Sequence, residues 1–133
     1  MNTGRSERDI GLLILRLGIG VMFVYHGFSK ITGGYAQWHE LGKTMAVFGI
    51  TFLPAFWGFL SAFAEFFGGI LLVFGLFMRP FAVLMAINMI VAASMHLTKG
   101  DGLFIASHAI EMAVVFVGLV FLGPGKFKLG KKE

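Results

Sequence analysis

The sequence contains no cysteine among its 133 residues. That absence excludes disulfides, thiolate metal sites and thiol relay chemistry, so any redox work done by this chain borrows its electron carrier from a cofactor or a partner. Charge is scarce as well. Only 14% of residues are Asp, Glu, Lys or Arg, against 57% hydrophobic, and the mean hydropathy is +0.84. Soluble domains do not have this composition; it belongs to a membrane protein whose first partner is the lipid bilayer. The small charge surplus, +4, does not point to nucleic acid. Lys126, Lys128, Lys131 and Lys132 follow the last apolar run and read as a cytoplasmic membrane flank.

Four long apolar runs remain: residues 10–28, 54–78, 81–97 and 104–122. Each is near the roughly 20 residues needed to cross a hydrocarbon core of about 30 Å. The sequence therefore predicts an all-α integral membrane four-helix bundle, a single domain over residues 1–133, with no internal repeat. The first run is too long for the hydrophobic core of a secretory signal, and the "SKITGG" after it offers no small-x-small cleavage site, so it is expected to be a retained helix. Arg79 and Pro80 alone part the second and third runs, predicting a tight antiparallel hairpin. "TKGDG", residues 98–102, predicts another short turn, making the last three helices neighbours.

The long connection, residues 29–53, carries Trp38, Leu41, Met45 and Phe48 at helical spacing. It reads as a short interfacial helix between helices 1 and 2, with Tyr35 and Trp38 at headgroup level; an anchoring segment and a substrate lid are both compatible with it. Outside the runs, Arg5, Arg8, Arg79 and the four tail lysines fall on one side, and Lys30, Lys43 and Lys99 on the other. Both termini are expected in the cytoplasm, with the protein in the cell's inner membrane. Small residues four apart, Ala64 and Gly68, Ala82 and Ala86, Ala109 and Ala113, are expected to let the helices approach closely.

The polar residues inside the runs carry the functional question: Arg16 and His26, then Glu65, then Asn88 and His96, then His108 and Glu111. A charge at the bilayer centre costs at least about 2.5 kcal/mol on insertion scales, so such groups turn inward and meet. At about 1.5 Å per residue, His26 and His96 lie within about 3 Å of the outer edge, His108 near 6 Å, Glu111 near 10 Å and Glu65 near 17 Å. Arg16 lies about 9 Å from the inner edge, where snorkelling and pairing are both open to it. His108 and Glu111, three apart, share a helix face and predict one wall of an outward-facing polar pocket with Glu65 as its floor. A buried carboxylate must be protonated, paired with a cation or coordinated to one. Imidazoles and carboxylates from facing helices also build metal sites, but "HAIE" occurs once and is short, and His26 and His96 lie too near the surface to favour haem; no metal site is assigned.

"LRLGIGVMFVYHGFSKI" in the first run, "AEFFGGILLVFGLFMRP" in the second, His96 closing the third, Glu111 in the fourth and "GPGKFKL" after it resemble, in order and spacing, the DoxX family of small four-helix membrane proteins. By position Arg16, His26, Gly27 and Lys30 look like its first-helix signature, Glu65, Gly68 and Gly69 its second, and Glu111 its fourth-helix acid; "SHAIE" departs from the expected glycine-rich lead. The resemblance implies a small subunit or accessory protein of a quinone-linked redox system. On that reading Glu65, Glu111 and His108 relay protons, while His26, His96, Asn88, Arg16 and Lys30 line a quinone pocket. A redox enzyme and a second copy of the chain are the candidate protein partners. A non-catalytic membrane scaffold and a small proton-coupled transporter use the same polar residues equally well.

Overall fold

The computed structural model describes residues 3–129, with side chains from residue 4 onward; Lys131 and Lys132 of the basic tail lie outside the described residues. The elements are α1 (Thr3–Ile31), α2 (Tyr35–Gly42), a 3-10 turn (Lys43–Phe48), α3 (Pro54–Phe74), α4 (Met78–Lys99) and α5 (Leu103–Leu122). There is no strand among the described residues. Four helices, α1, α3, α4 and α5, are long and apolar enough to cross a membrane, and the fold is the all-α four-helix bundle that the apolar runs predict.

Two boundaries differ from the sequence reading. Helix α1 starts seven residues before Ile10 and has 29 residues, about 43 Å. Its polar first turns carry no apolar signal, yet they stay helical because Arg8 and Asp9 bond to the far end of the chain. The α3–α4 corner lies at residues 75–77 rather than at Arg79 and Pro80. Gly75 adopts φ 73, and the Gly75 and Leu76 amides bond back to the Leu72 and Leu71 carbonyls, which closes α3. Pro80 then sits in the first turn of α4, where its missing N–H costs nothing.

Helix α1 packs on α3, α3 on α4 and α4 on α5, while α2 lies across the N-terminal end of α3, the outer end on the orientation expected from the charge count. The α1–α3 contact is backbone on backbone. A Cβ on Gly20 would meet the Gly69 carbonyl at 2.8 Å, and one on Gly27 would collide with the backbone of Glu65 and Phe66. The seven-residue step from Gly20 to Gly27 thus sets the approach, as small residues do where lipid supplies no hydrophobic drive. At the centre, Met78, Met85, Phe116 and Leu119 are fully buried with Leu72, Ala82 and Ala86. Methionine suits this position because its unbranched chain fills irregular gaps between crossing helices.

The interfacial segment is docked rather than afloat. The Trp38 indole N–H donates to the Lys30 carbonyl at 2.9 Å and its ring meets Phe59 edge-on at 5.0 Å, while Tyr35 stays exposed. Glycines make this fit possible too: a Cβ on Gly58 would strike the Trp38 backbone.

Candidate functional site

The terminal spans α1 and α5 do not pack closely backbone on backbone. Between them lies a cavity of about 640 Å³. Phe23 of α1 bridges to Phe116 of α5, ring centroids 5.2 Å apart, and α3 and α4 supply the back wall. Exposed Ile14, Leu15, Met22 and Ile105 form its lips, so an apolar molecule can enter sideways from the bilayer.

Its polar groups gather at the outer end: His26 and Lys30 from α1, Glu65 from α3, His96 from α4 and His108 from α5. The deeper part, past Met22 and Met112 to Ile14, is apolar. Glu65 is 3% exposed and pairs with the Lys30 ammonium at 2.5 Å. Of the three ways to carry a buried carboxylate, the fold uses pairing with a cation. Helix geometry explains how a lysine in the last turn of α1 reaches it. Because Gly27 abuts the backbone of Glu65 and Phe66, Glu65 lies level with a residue only four short of the end of α1, about 6 Å in. The depth of about 17 Å expected from the start of α3 is too large because the first turns of α3 rise beyond the end of α1, flanked by α2. Glu65 is therefore part of the back wall near the mouth, not a floor.

His96 is fixed by a group the sequence reading missed. Gly100 takes φ 88 at the end of α4, and the Asp101 amide bonds to the His96 carbonyl at 3.0 Å. This helix-ending turn folds Asp101 back over His96, and its carboxylate meets His96 Nδ1 at 2.8 Å. That hydrogen bond, with the charges of Lys99 and His96, holds the Asp101 carboxyl below the usual carboxylate range. Nε2 is left as the ring nitrogen available to a ligand. The signal was present in "HLTKGDG", where glycine at the helix end brings residue i+5 back to residue i. His26 is exposed, with its ring against Phe23 and Tyr25. His108 is exposed and has no hydrogen-bond or ion-pair partner among the described residues.

Three residues assigned to the pocket from sequence lie elsewhere. Arg16 is 1% exposed at the inner end of the bundle. Its guanidinium donates to the carbonyls of Leu72 and Val73, which close α3, and to those of Pro124 and Phe127. Five donors in a rigid fork fit several main-chain carbonyls at once better than one carboxylate, so Arg16 neither snorkels nor forms an ion pair. Asn88 faces the opposite side of α4, where it accepts a hydrogen bond from Ser61 at 2.6 Å beside a smaller cavity of about 180 Å³. Glu111 is exposed on the outward face of α5 and does not line the cavity. Its three-residue spacing from His108 puts both on the outer half of the helix, but only His108 reaches the cavity rim. Among the described residues no three His, Asp or Glu side chains converge into a metal-binding group.

The inner end has further ties. Arg8 donates to the Leu122 carbonyl at 2.7 Å, Arg79 to that of Val120 at 3.0 Å, and buried Asp9 accepts from the Lys126 amide at 3.2 Å. With Leu129 N–H bonded to the Phe74 carbonyl, residues 123–129 run beneath the bundle and plug it.

The family model described as DoxX matches residues 11–98. The chain belongs to the DoxX family. The DoxX match covers His26, Lys30, Glu65 and His96 of the cavity and stops short of α5. The inner membrane protein YqjF of Escherichia coli (strain K12) is 27% identical over 130 residues, 96% of this chain and 95% of that protein. CatD of Bacillus subtilis (strain 168), whose name gives it as a proposed oxidoreductase, is 38% identical over 82 residues. That match takes in 62% of this DoxX chain and 56% of CatD, so the chain spans little more than half the length of that relative. No solved structure matches the chain.

Proposed function

We propose that this protein is a small inner-membrane component of a quinone-linked redox system, and that the cavity between α1 and α5 receives the quinone head group. The observation that carries the reading is the buried Glu65 paired with part-exposed Lys30 at the polar mouth of a cavity that opens to lipid. A quinone is a lipid-soluble ring with carbonyl acceptors on its edge; the apolar depth suits the ring and the ammonium and imidazoles suit the carbonyls. Its reduction takes up two electrons and two protons. The cysteine-free chain supplies no electrons, so these come from a partner enzyme, in keeping with the oxidoreductase name of one relative. Protons are within the means of the residues present. Lys30 can donate toward a carbonyl oxygen while Glu65 balances its charge, and His26, His96 and His108 stand between that pair and the outside. Both termini face the cytoplasm in this reading, which places the mouth on the outer side.

The test is direct. Protein extracted gently from its own membrane is analysed for bound quinone by mass spectrometry and absorption. The reading requires quinone in the parent and its loss from a Met22→Trp variant, which fills the cavity without touching the ion pair. A parent that retains no quinone and takes none up from quinone-loaded vesicles sinks it.

A further inference from the structure

Away from the helix ends, the other charged groups of the described spans are partnered: Lys30 with Glu65, and Arg16 with four carbonyls. Glu111 has none. It sits eight residues into α5, about 12 Å along the helix axis, exposed on the face turned away from the bundle, with no hydrogen-bond or ion-pair partner among the described residues. A carboxylate facing hydrocarbon is costly in either protonation state unless something donates to it. One turn toward the outer end, His108 is likewise exposed and unpartnered.

We propose that the outward face of α5 binds a second copy of this chain by a two-fold contact, in which Glu111 of each subunit accepts a hydrogen bond from His108 of the other. The patch is complementary to itself, since one helix carries a donor and an acceptor three residues apart. With a two-fold axis parallel to α5, each histidine reaches the opposite glutamate diagonally, across about 4.5 Å of axial rise, and the contact repeats itself as a symmetric dimer requires. The same stripe continues through Gly118, one heptad beyond Glu111, where an added Cβ would meet nothing within 4 Å. That gap lets two α5 helices approach closely. The contact also has a consequence for the site. His108 stands on the cavity rim, so Glu111 of the partner subunit arrives beside it, and each cavity gains the carboxylate its own chain withholds. The inference is independent of what the cavity binds.

The absence of cysteine makes the test clean, because a single introduced thiol has no partner within its own chain or elsewhere on a second copy except its counterpart. Gly118→Cys lies on the proposed seam, Phe104→Cys lies on the same face at its outer end, and Val21→Cys, exposed on α1, is the control. Mild oxidation in native membranes should give a product of twice the chain mass from the first two and none from the third. Changing His108→Glu in one chain and Glu111→His in another should each abolish that product alone, and co-expression of the two should restore it. Melting curves in detergent show whether the exchanged chains fold; if they do not, the cysteine pairs decide alone. Equal cross-linking at Val21, persistent monomer at both seam positions, or capture of a different protein there overturns the proposal.

Discussion

Lys30 behaves in the opposite way to most lysines at the end of a spanning helix. The usual course is for the stem to climb to the headgroups; here the ammonium turns inward to Glu65. Removing one partner leaves a buried charge uncompensated, which typically costs about 3–5 kcal/mol. Lys30→Met should therefore destabilise the protein strongly in a detergent melt, and Lys30→Met with Glu65→Met should recover most of the loss, because a double apolar replacement leaves no orphan charge. If the pair also moves protons, the double variant regains stability while a cell-based quinone-stress assay stays dead; recovery of both leaves the pair a structural tie only. Asp101 makes a separate prediction. Its folded carboxyl lies below the ordinary value of about 3.9, so the stability it lends the α4–α5 turn is complete above that value and disappears as pH falls through the lower folded one. Amide exchange at the start of α5 should thus rise on acidification below about pH 4, and Asp101→Asn should flatten that response.

Among the elements, the α1–α3 contact is the most sensitive to a single atom. Gly27 lies against backbone, which cannot move aside as a side chain can, so Gly27→Leu should separate the two helices and unfold the mouth of the cavity. Gly18→Leu, whose Cβ position is open, should melt like the parent. How far the sequence foretells these elements depends on the kind of signal. Apolar runs and the proline in a first turn mark the four spans, because hydropathy reports directly on lipid. The Ala64–Gly68 and Ala82–Ala86 spacings mark buried faces for the same reason. The seven-residue glycine step of α1 is a weaker sequence signal than the four-residue steps, because glycines recur throughout the chain. Whether Glu111 faced in or out could not be read from α5 either, since a helix apolar on all sides has no face of its own until its neighbours are known. Arg16 was misplaced because its acceptors are main-chain carbonyls, which leave no mark in a sequence.

For the whole molecule, orientation is the simplest proposal to check. With both termini in the cytoplasm, Thr44→Cys should react with an impermeant reagent in intact cells and Lys126→Cys only after the membrane is opened; labelling of Lys126→Cys from outside reverses the assignment. The four spans and the lateral cavity would survive that reversal, but the mouth would then face the cytoplasm and draw its protons from there.

The plug beneath the bundle has a bearing on how the protein is made. Arg16 enters the membrane in α1, yet two of its acceptors, the Pro124 and Phe127 carbonyls, belong to a segment made only after all four spans. Through most of synthesis the guanidinium lacks these acceptors and the first helix is held loosely. Closure of this end of the bundle should therefore follow the synthesis of α5. A chain released after Leu122 should accordingly insert but remain open to membrane proteases, and Arg16→Leu in the full-length chain should share that fate while leaving the outer cysteine at Thr44 labelled as before. Residues 123–129 on this account form a latch that is set only after the fourth span has been made.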